Sequence, residues 1–238
     1  MKTTIMKTLY ICGAGNSEGS RLALRINEMQ SRWERLVLLD DDESKHGDSI
    51  LGIEIAGPCS LLGEADPESS EVVNLVARTT PKRCAMFKKI SQYKIPFAQL
   101  VHPSVDPMGV ELASDVALYQ NAIVGALSSV GEASMVLVAG VVGYGSRVGR
   151  CCVVAPNAVI NARVQVEDGV YIGTNASILP DVKIGAWATI GANSVVMQNV
   201  PPGQTVMGIP AKTVWKTKPE KFPTLDEFSQ SQKDSVSL

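Results

Sequence analysis

Two parts of the sequence hold residues suited to binding a phosphorylated ligand. Residues 13–19 read GAGNSEG and follow a short apolar run, and Asp40 ends the next apolar run, 27 residues after Gly13. A glycine-rich turn between a strand and a helix lets backbone N–H groups face a phosphate, and an acid after the second strand can face a ribose or base. A tight turn without a ligand is the alternative. The candidate nucleotide-binding residues are Gly13, Gly15, Asn16, Ser17 and Asp40.

Groups for acid–base or metal chemistry are scarce. The chain has only two histidines, His46 and His102, and we expect His102 in its HPS context to be structural. The five cysteines form no CxxC pair, which predicts no zinc site and no disulfide framework, only reduced thiols in a cytoplasmic protein. A net charge of −2 offers no basic surface for nucleic acid. No apolar run approaches the ~18–20 residues of a membrane span, so we expect no membrane insertion.

The first part of the chain alternates between strand-like and helix-like segments. TLYICGAG and RLVLLDDD each contain an apolar strand, SRLALRINEMQSRW has the pattern of an amphipathic helix, and SEVVNLVAR contains a later strand. Pro81 suits the first turn of another helix. This alternation predicts a small α/β, Rossmann-like domain over residues 1–98.

From Leu100 the sequence repeats every six residues. Seventeen positions in steps of six, ending at Val196, hold sixteen aliphatic residues and one exception, Asp106. Glycine often follows the aliphatic residue, and a small residue or valine stands four positions after it. A hexapeptide period is typical of a parallel β-helix, in which three hexads form one triangular coil. We expect this domain over residues 99–200, followed by an extension over 201–238 with a disordered tail, because Pro201 and Pro202 cannot continue the ladder.

The order of these parts is similar to one enzyme family. The GAG turn, LLDDD with His46-Gly47, FAQLVHPS, the long hexapeptide segment and the closing GIPAK resemble the sialic acid O-acetyltransferase family. That family includes N-acetyltransferases that act on UDP-linked 4-amino-sugars in bacterial glycan synthesis. The resemblance covers about residues 7–216. It implies a left-handed β-helix, a homotrimer with acetyl-CoA between neighbouring prisms, and a nucleotide sugar held partly by the N-terminal domain.

The resemblance also identifies a candidate catalytic position. In the family a histidine base stands two positions after an aliphatic residue, usually behind an acid; that position is Tyr144 here, preceded by Gly143. A second family histidine corresponds to Val153. Phenols ionise near pH ~10 and are poor bases at neutral pH, whereas an amine like an α-amino group titrates near ~8. We therefore expect N-acetylation rather than O-acetylation, with Tyr144 orienting the acceptor or relaying a proton.

The resemblance places the CoA slot more loosely. The backbone N–H of Ala162 corresponds to the family's contact with the thioester carbonyl, and Lys212 in GIPAK is placed to meet the CoA phosphates. Thr174 and Ala192 are expected one and two coils further along the same groove.

Two other functions use this architecture. A non-catalytic scaffold that binds a nucleotide sugar or CoA would keep the fold after losing the histidine. A γ-class carbonic anhydrase needs three zinc-binding histidines. This chain has only two histidines, in different regions, and this excludes that function. Hydride transfer by a nicotinamide cofactor would need a second catalytic domain that the chain lacks.

Overall fold

The computed structural model describes residues 7–217, 222 and 223. The N-terminal part is a five-stranded sheet in the order β3-β4-β2-β1-β5. All its pairings are parallel except β3 with β4. Its elements are β1 (Lys7–Cys12), α1 (Ser17–Gln30), β2 (Trp33–Leu39), β3 (Ser49–Ile50), β4 (Ile53–Gly57), β5 (Ser70–Asn74) and α2 (Thr80–Ser91), with short 3-10 helices at Glu43–Lys45 and Cys59–Glu64.

The helix α1 has a defined start and a buried stripe. Asn16 is its N-cap, and the Asn16 side chain accepts a hydrogen bond from the N–H of Gly19. Leu22, Ala23 and Ile26 are buried at helical spacing and pack with the central strands. Pro81 lies in the first turn of α2, as expected. None of the described helices is long and apolar enough to cross a membrane.

The hexapeptide region is a left-handed parallel β-helix. Its strands are two residues long and begin every six residues, and those from β7 to β18 each pair with the strand 18 residues further on. They are β7 (Glu111–Leu112), β8 (Ala117–Leu118), β9 (Ile123–Val124), β10 (Ser129–Val130), β11 (Met135–Val136), β12 (Val141–Val142), β13 (Arg147–Val148), β14 (Val153–Val154), β15 (Val159–Ile160), β16 (Gln165–Val166), β17 (Tyr171–Ile172), β18 (Ser177–Ile178), β19 (Lys183–Ile184), β20 (Thr189–Ile190) and β21 (Val195–Val196).

The turns of the β-helix also repeat every six residues. Every sixth residue from Gly109 to Asn193 has a left-handed φ between 54° and 72°. The glycine that follows the aliphatic residue serves a different need, because a Cβ on Gly143 would lie 2.7 Å from the backbone carbon of Asn161. Glycine there allows consecutive coils to stack closely.

The sequence register is wrong in the first coil. β6 (Leu100–Val101) pairs Val101, not Leu100, with Leu118, so this coil is one residue short. Leu100 packs into the α/β core instead. Val105 lies in the β-helix core, although the six-residue count expected a hexad to begin one residue later, at Asp106. The junction between the two parts therefore absorbs the missing residue.

The three sheets of the prism differ in what covers them. Each face is described by the side chains that point away from the prism axis, and the face covered by the α/β domain is called the inner face. The inner face packs against α1 and the α/β core through Ala117, Met135, Val153 and Tyr171. The polar face exposes Glu111, Ser129, Arg147, Gln165 and Lys183. The apolar face presents Ile123, Val141, Val159, Ser177 and Val195.

The chain after the last hexad caps the prism. The six-residue period stops, but β22 (Gln204–Met207) continues the inner sheet parallel to β20, and β23 (Lys212–Lys216) pairs antiparallel with β22. The expectation that the ladder ends before Pro201 is therefore wrong for this sheet, because a loop carries the chain past both prolines before it pairs again. The tail expected to be disordered lies outside the described residues, apart from residues 222 and 223.

A buried ion pair joins the two parts of the chain. Arg83 on α2 and Asp115 in a β-helix turn are both fully buried, with nitrogen and oxygen 3.7 Å apart. The Arg83 guanidinium donates to the carbonyls of Asn74 at 2.7 Å and Val76 at 3.1 Å and to that of Ala133. The backbone N–H of Asn74 donates to Asp115 Oδ1 at 2.8 Å. Burial raises the pKa of Asp115 to about 7, even beside Arg83.

Candidate functional site

The glycine-rich turn lies between the end of β1 and the start of α1. Gly13 has φ 106°, and a Cβ there would lie 3.0 Å from Val76 Cγ2, so glycine is required by both backbone and space. A Cβ on Gly15 would meet nothing within 4 Å. Gly15 and Ser17 are exposed, whereas Gly13 and Ala14 are buried. The open side of the turn is therefore formed by Gly15 and Ser17.

Asp40 supports this turn from the end of β2. Its Oδ2 accepts hydrogen bonds from the Ala14 N–H at 2.9 Å and from the Lys45 ammonium at 3.1 Å. The Asp40 side chain is 14% exposed, and the ring Nε2 of His46 lies 2.8 Å from its carbonyl oxygen. Asp40 thus fixes the glycine turn and also faces the loop that contains His46.

The next acid is held by a helix of the same domain. Asp41 accepts hydrogen bonds from Lys89 Nζ at 2.6 Å and from the backbone N–H of Cys59 at 3.1 Å. Burial acts to raise the pKa of Asp41, but the hydrogen bonds from Lys89 and Cys59 outweigh it and lower that pKa. Asp41 is therefore an ionised anchor for the loop between β2 and β3.

Asn16 connects the turn to the β-helix. Its Nδ2 donates to the carbonyl of Leu75 at 3.1 Å and to the hydroxyl of Tyr119 at 3.0 Å, and its Oδ1 accepts from the Gly19 N–H at 3.0 Å. Burial raises the pKa of Tyr119 to about 12, so its hydroxyl stays protonated. Since the Asn16 amide is engaged within the protein, Asn16 positions the turn.

Two edges of the prism flank the apolar face. The edge that the chain reaches after each strand of the apolar face is called the tyrosine edge, and it stacks Ala126, Tyr144, Ala162, Pro180 and Gln198. The edge that the chain passes before each of those strands is called the threonine edge, and it stacks Gln120, Val138, Pro156, Thr174 and Ala192. Hydrogen bonds join successive coils along each edge, from Arg163 N to Tyr144 O at 2.9 Å on the first and from Asn193 N to Thr174 O at 2.9 Å on the second.

The expectation that one groove contains Ala162, Thr174 and Ala192 is wrong for a single chain. One coil has 18 residues, and Thr174 follows Ala162 by two hexads, or two thirds of a coil. Thr174 and Ala192 share the threonine edge, whereas Ala162 and Tyr144 share the tyrosine edge. The two sets can face one groove only when they come from two chains.

Tyr144 is exposed at the middle of its edge. Its side chain is 52% exposed, between Gly143 and Gly145. A Cβ on Gly143 would lie 2.9 Å from the Ala162 nitrogen, so the acid that precedes the family histidine does not fit on this backbone. One coil further, Arg163 and Asp181 form a two-pronged ion pair with nitrogen–oxygen distances of 2.7 and 2.8 Å.

The other candidate positions lie apart from Tyr144. Val153, at the second family histidine position, is buried on the inner face against the α/β core. Lys212 begins β23 and lines a cleft of about 630 Å³ that also includes Gln198, the last residue of the tyrosine edge. The tyrosine edge therefore runs from Tyr144 over Ala162 to the cleft at Lys212.

The cysteines and the metal-ligating side chains of the described residues form neither a disulfide nor a metal cluster. All five cysteines are free and buried. Within residues 7–217, no group of three or more histidine, cysteine, aspartate or glutamate side chains is arranged to hold a metal ion.

Comparison with known proteins gives one family match and several related structures. Residues 163–198 match the bacterial transferase hexapeptide family (six repeats). The acetyltransferase domain of PglB from Neisseria gonorrhoeae FA1090, in complex with acetyl coenzyme A, has a TM-score of 0.79 and 23% identity over 88% of this chain and 100% of that chain. No curated protein sequence matches significantly.

Two further structures have the same fold. PerB from Caulobacter crescentus, in complex with CoA and GDP-perosamine, has a TM-score of 0.76 and 22% identity over 88% of this chain and 98% of that one. WeeI from Acinetobacter baumannii AYE has a TM-score of 0.77 and 19% identity over 88% of this chain and 100% of that one. At these identities the likeness shows the fold, and it confirms the expected α/β domain followed by a left-handed β-helix.

Sequence reasoning missed Tyr119. It lies 103 residues from Asn16 and reads as one more hexad residue, so only the packing of the β-helix against α1 reveals its contact with the glycine turn. The apolar character of one face was visible in the sequence, in the residue before every third aliphatic position.

Proposed function

We propose that the protein is an acetyl-CoA-dependent acetyltransferase that acts on a nucleotide-linked amino sugar in bacterial glycan synthesis. The observation on which this rests is the tyrosine edge, where the exposed Tyr144 and the Ala162 backbone lead to the cleft lined by Lys212. The fold shared with the acetyltransferase domain of PglB in complex with acetyl-CoA, and with PerB in complex with CoA and GDP-perosamine, supports the same activity.

A homotrimer would complete the site. The apolar face is the surface of the β-helix that burial in a neighbour favours. Because this face lies between the two edges, a cyclic arrangement of parallel prisms sets the tyrosine edge of one chain against the threonine edge of the next. Such an arrangement places Tyr144 and Ala162 opposite Thr174 and Ala192 of the partner subunit. The four residues then line one groove, as the resemblance implies.

The acetyl donor fits along this groove. Three coils separate Tyr144 from Gln198, about 14 Å at ~4.8 Å per coil, which suits an extended pantetheine arm. The Ala162 N–H would donate to the thioester carbonyl oxygen, where negative charge develops during attack. Lys212 would contact the CoA phosphates, and no step requires a metal. A CoA thioester and reduced thiols suit a cytoplasmic protein.

The acceptor would be held by the α/β domain. Backbone N–H groups on the open side of the glycine turn, at Gly15 and Ser17, would face the diphosphate. Gly13 and Asn16 set the shape of the turn, and Asp40 holds it in place. The sugar amine then attacks the thioester carbon, and the amine proton passes by way of the Tyr144 hydroxyl or water to solvent. The C–S bond breaks with the electron pair going to sulfur, so that CoA leaves as a thiolate that takes up a proton from solvent. An amine that titrates near ~8 supplies enough neutral nucleophile at pH 7 without a histidine.

Turnover of acetyl-CoA with a panel of UDP- and dTDP-linked amino sugars tests this proposal. We expect CoA release and an acetylated product with at least one amine, and no product with the matched hydroxyl sugars. Saturable CoA binding without turnover on any sugar would favour the alternative, a non-catalytic scaffold that binds the nucleotide sugar or CoA.

A further inference from the structure

A second cleft lies between α1 and the first coils of the β-helix. Its volume is about 360 Å³. Arg21 and Arg25 of α1 line one side together with Glu18 and Glu28, and His102 with Tyr119, Gln120 and Val138 of the β-helix line the other. The cleft runs along α1 from Glu18 to Glu28 and adjoins the glycine turn through Tyr119, which is hydrogen-bonded to Asn16.

The ring of His102 is held in one orientation. The Asn121 N–H donates to Ser104 Oγ at 2.9 Å, and Ser104 Oγ lies 2.8 Å from His102 Nδ1. The Ser104 N–H also donates to Nδ1 at 3.1 Å. With Nδ1 accepting, the neutral ring carries its proton on Nε2, which is left as a donor for a ligand.

The end of the cleft at His102 is under the influence of the two arginines, although Glu18 and Glu28 also line the cleft. Burial, and then the positive charges of Arg25 and Arg21, lower the pKa of His102. Among the described residues, the arginines form ion pairs with glutamates of the same helix, Arg25 with Glu28 at 2.6 Å and Arg21 with Glu18 at 3.5 Å. All four side chains are more than half exposed, and exposed pairs of this kind contribute little. Both guanidinium groups can therefore turn to an anion at small cost.

We propose that this cleft is a phosphate subsite, in which Arg21, Arg25 and the Nε2–H of His102 bind a phosphate or diphosphate group. Guanidinium groups match phosphate oxygens in pairs, and a neutral imidazole N–H adds a third donor. The phosphate is one phosphate of a nucleoside diphosphate whose other phosphate faces the glycine turn, or it belongs to a free phosphate compound. The inference goes beyond acetyl transfer and does not depend on it.

Histidine signals of the full-length protein, labelled in histidine only, test this subsite by NMR. Inorganic pyrophosphate, UDP and uridine are titrated in turn, and the chain's two histidines allow both sites to be followed. We expect the His102 signal to move saturably with pyrophosphate or UDP but not with uridine. If UDP also moves His46 while pyrophosphate does not, the phosphate belongs to a nucleotide; if only His102 moves, the source is a free phosphate compound.

Variants of the cleft test whether the two arginines bind the phosphate. The double variant Arg21→Gln with Arg25→Gln should weaken the affinity at least tenfold, and His102→Ala should weaken it several-fold when binding is followed by calorimetry. Arg35→Gln is the control, because Arg35 is similarly exposed, faces Glu54 at 4.0 Å and lines a different cleft. An unmoved His102 signal, or unchanged affinity in the double variant, would overturn the proposal. This result is independent of whether acetyl transfer occurs.

Discussion

Asn16 and Tyr119 form a hydrogen bond of 3.0 Å between the glycine turn and the β-helix. Asn16 caps α1 through its Oδ1, so the same side chain fixes the start of the helix and its docking on the prism. The shape of the proposed nucleotide site therefore depends on a residue of the other domain.

Tyr119→Phe should lower the free energy of unfolding by about 1 kcal/mol, because the hydrogen bond between the buried Tyr119 hydroxyl and the half-buried Asn16 amide is lost. Nucleotide affinity should fall several-fold as the turn loses its support. Urea denaturation and calorimetry measure the two effects. Tyr171→Phe, also on the inner face, is the matched control and should leave nucleotide affinity unchanged; equal effects of both variants would speak against the role given to Tyr119.

The stability of the protein should depend on Asp115 between about pH 4 and pH 7. Its pKa is about 7 in the folded chain and ~3.9 when unfolded, so the native state keeps a proton that the unfolded state releases. The free energy of unfolding contributed by this group is therefore full below pH 4 and falls as pH rises through 7, by an amount on the order of 4 kcal/mol. Asp115→Asn should remove that slope in urea denaturation at several pH values.

Asp181→Asn is the control for this measurement. Asp181 occupies the same left-handed turn position but is exposed and paired with Arg163, whose hydrogen bond lowers the pKa of the carboxyl. The slope assigned to Asp115 should persist in this variant. A wild-type protein and an Asp115→Asn variant with the same slope would contradict the assignment.

Charge on the apolar face should dissociate the proposed trimer. Val159→Asp buries a carboxylate at the contact, which costs several kcal/mol per chain. Sedimentation should then find one third of the wild-type mass, and acetyl transfer should fall at least tenfold because both edges are needed. Gln165→Asp on the polar face should keep the wild-type mass. A Val159→Asp protein that stays trimeric and active would show that another face is used.

A histidine at the tyrosine position should increase the rate of transfer. Tyr144→His places an imidazole at an exposed position without a change in the backbone, and we expect transfer at pH 7 to rise about tenfold or more. Adding Gly143→Asp should cancel the gain and destabilise the coil by about 1–3 kcal/mol, because its Cβ meets the backbone at Ala162. Thermal unfolding and steady-state kinetics test both; a stable, faster double variant would contradict the packing argument.

The sequence predicts the β-helix well because its period is local and uninterrupted. Each aliphatic position from Leu112 to Val196 lies in a strand, as counting by six requires. Counting fails at Leu100, because the junction lacks one residue and the α/β core takes that side chain. Counting by six alone does not tell the three edges of the prism apart, whereas counting by eighteen, the length of one coil, assigns Thr174 and Ala162 to different edges. Contacts between the two domains, such as Arg83 with Asp115, have no sequence pattern at all.

The pH dependence of kcat/KM with one nucleotide amino sugar tests most directly whether transfer proceeds without a histidine base. The value should rise with pH and level off with the apparent pKa of that acceptor's own amine, measured separately in solution. Tyr144→Phe should lower the plateau and keep the same apparent pKa. An apparent pKa near ~6.5 that differs from the pKa of the acceptor's amine and disappears in His102→Gln or His46→Gln would contradict the account.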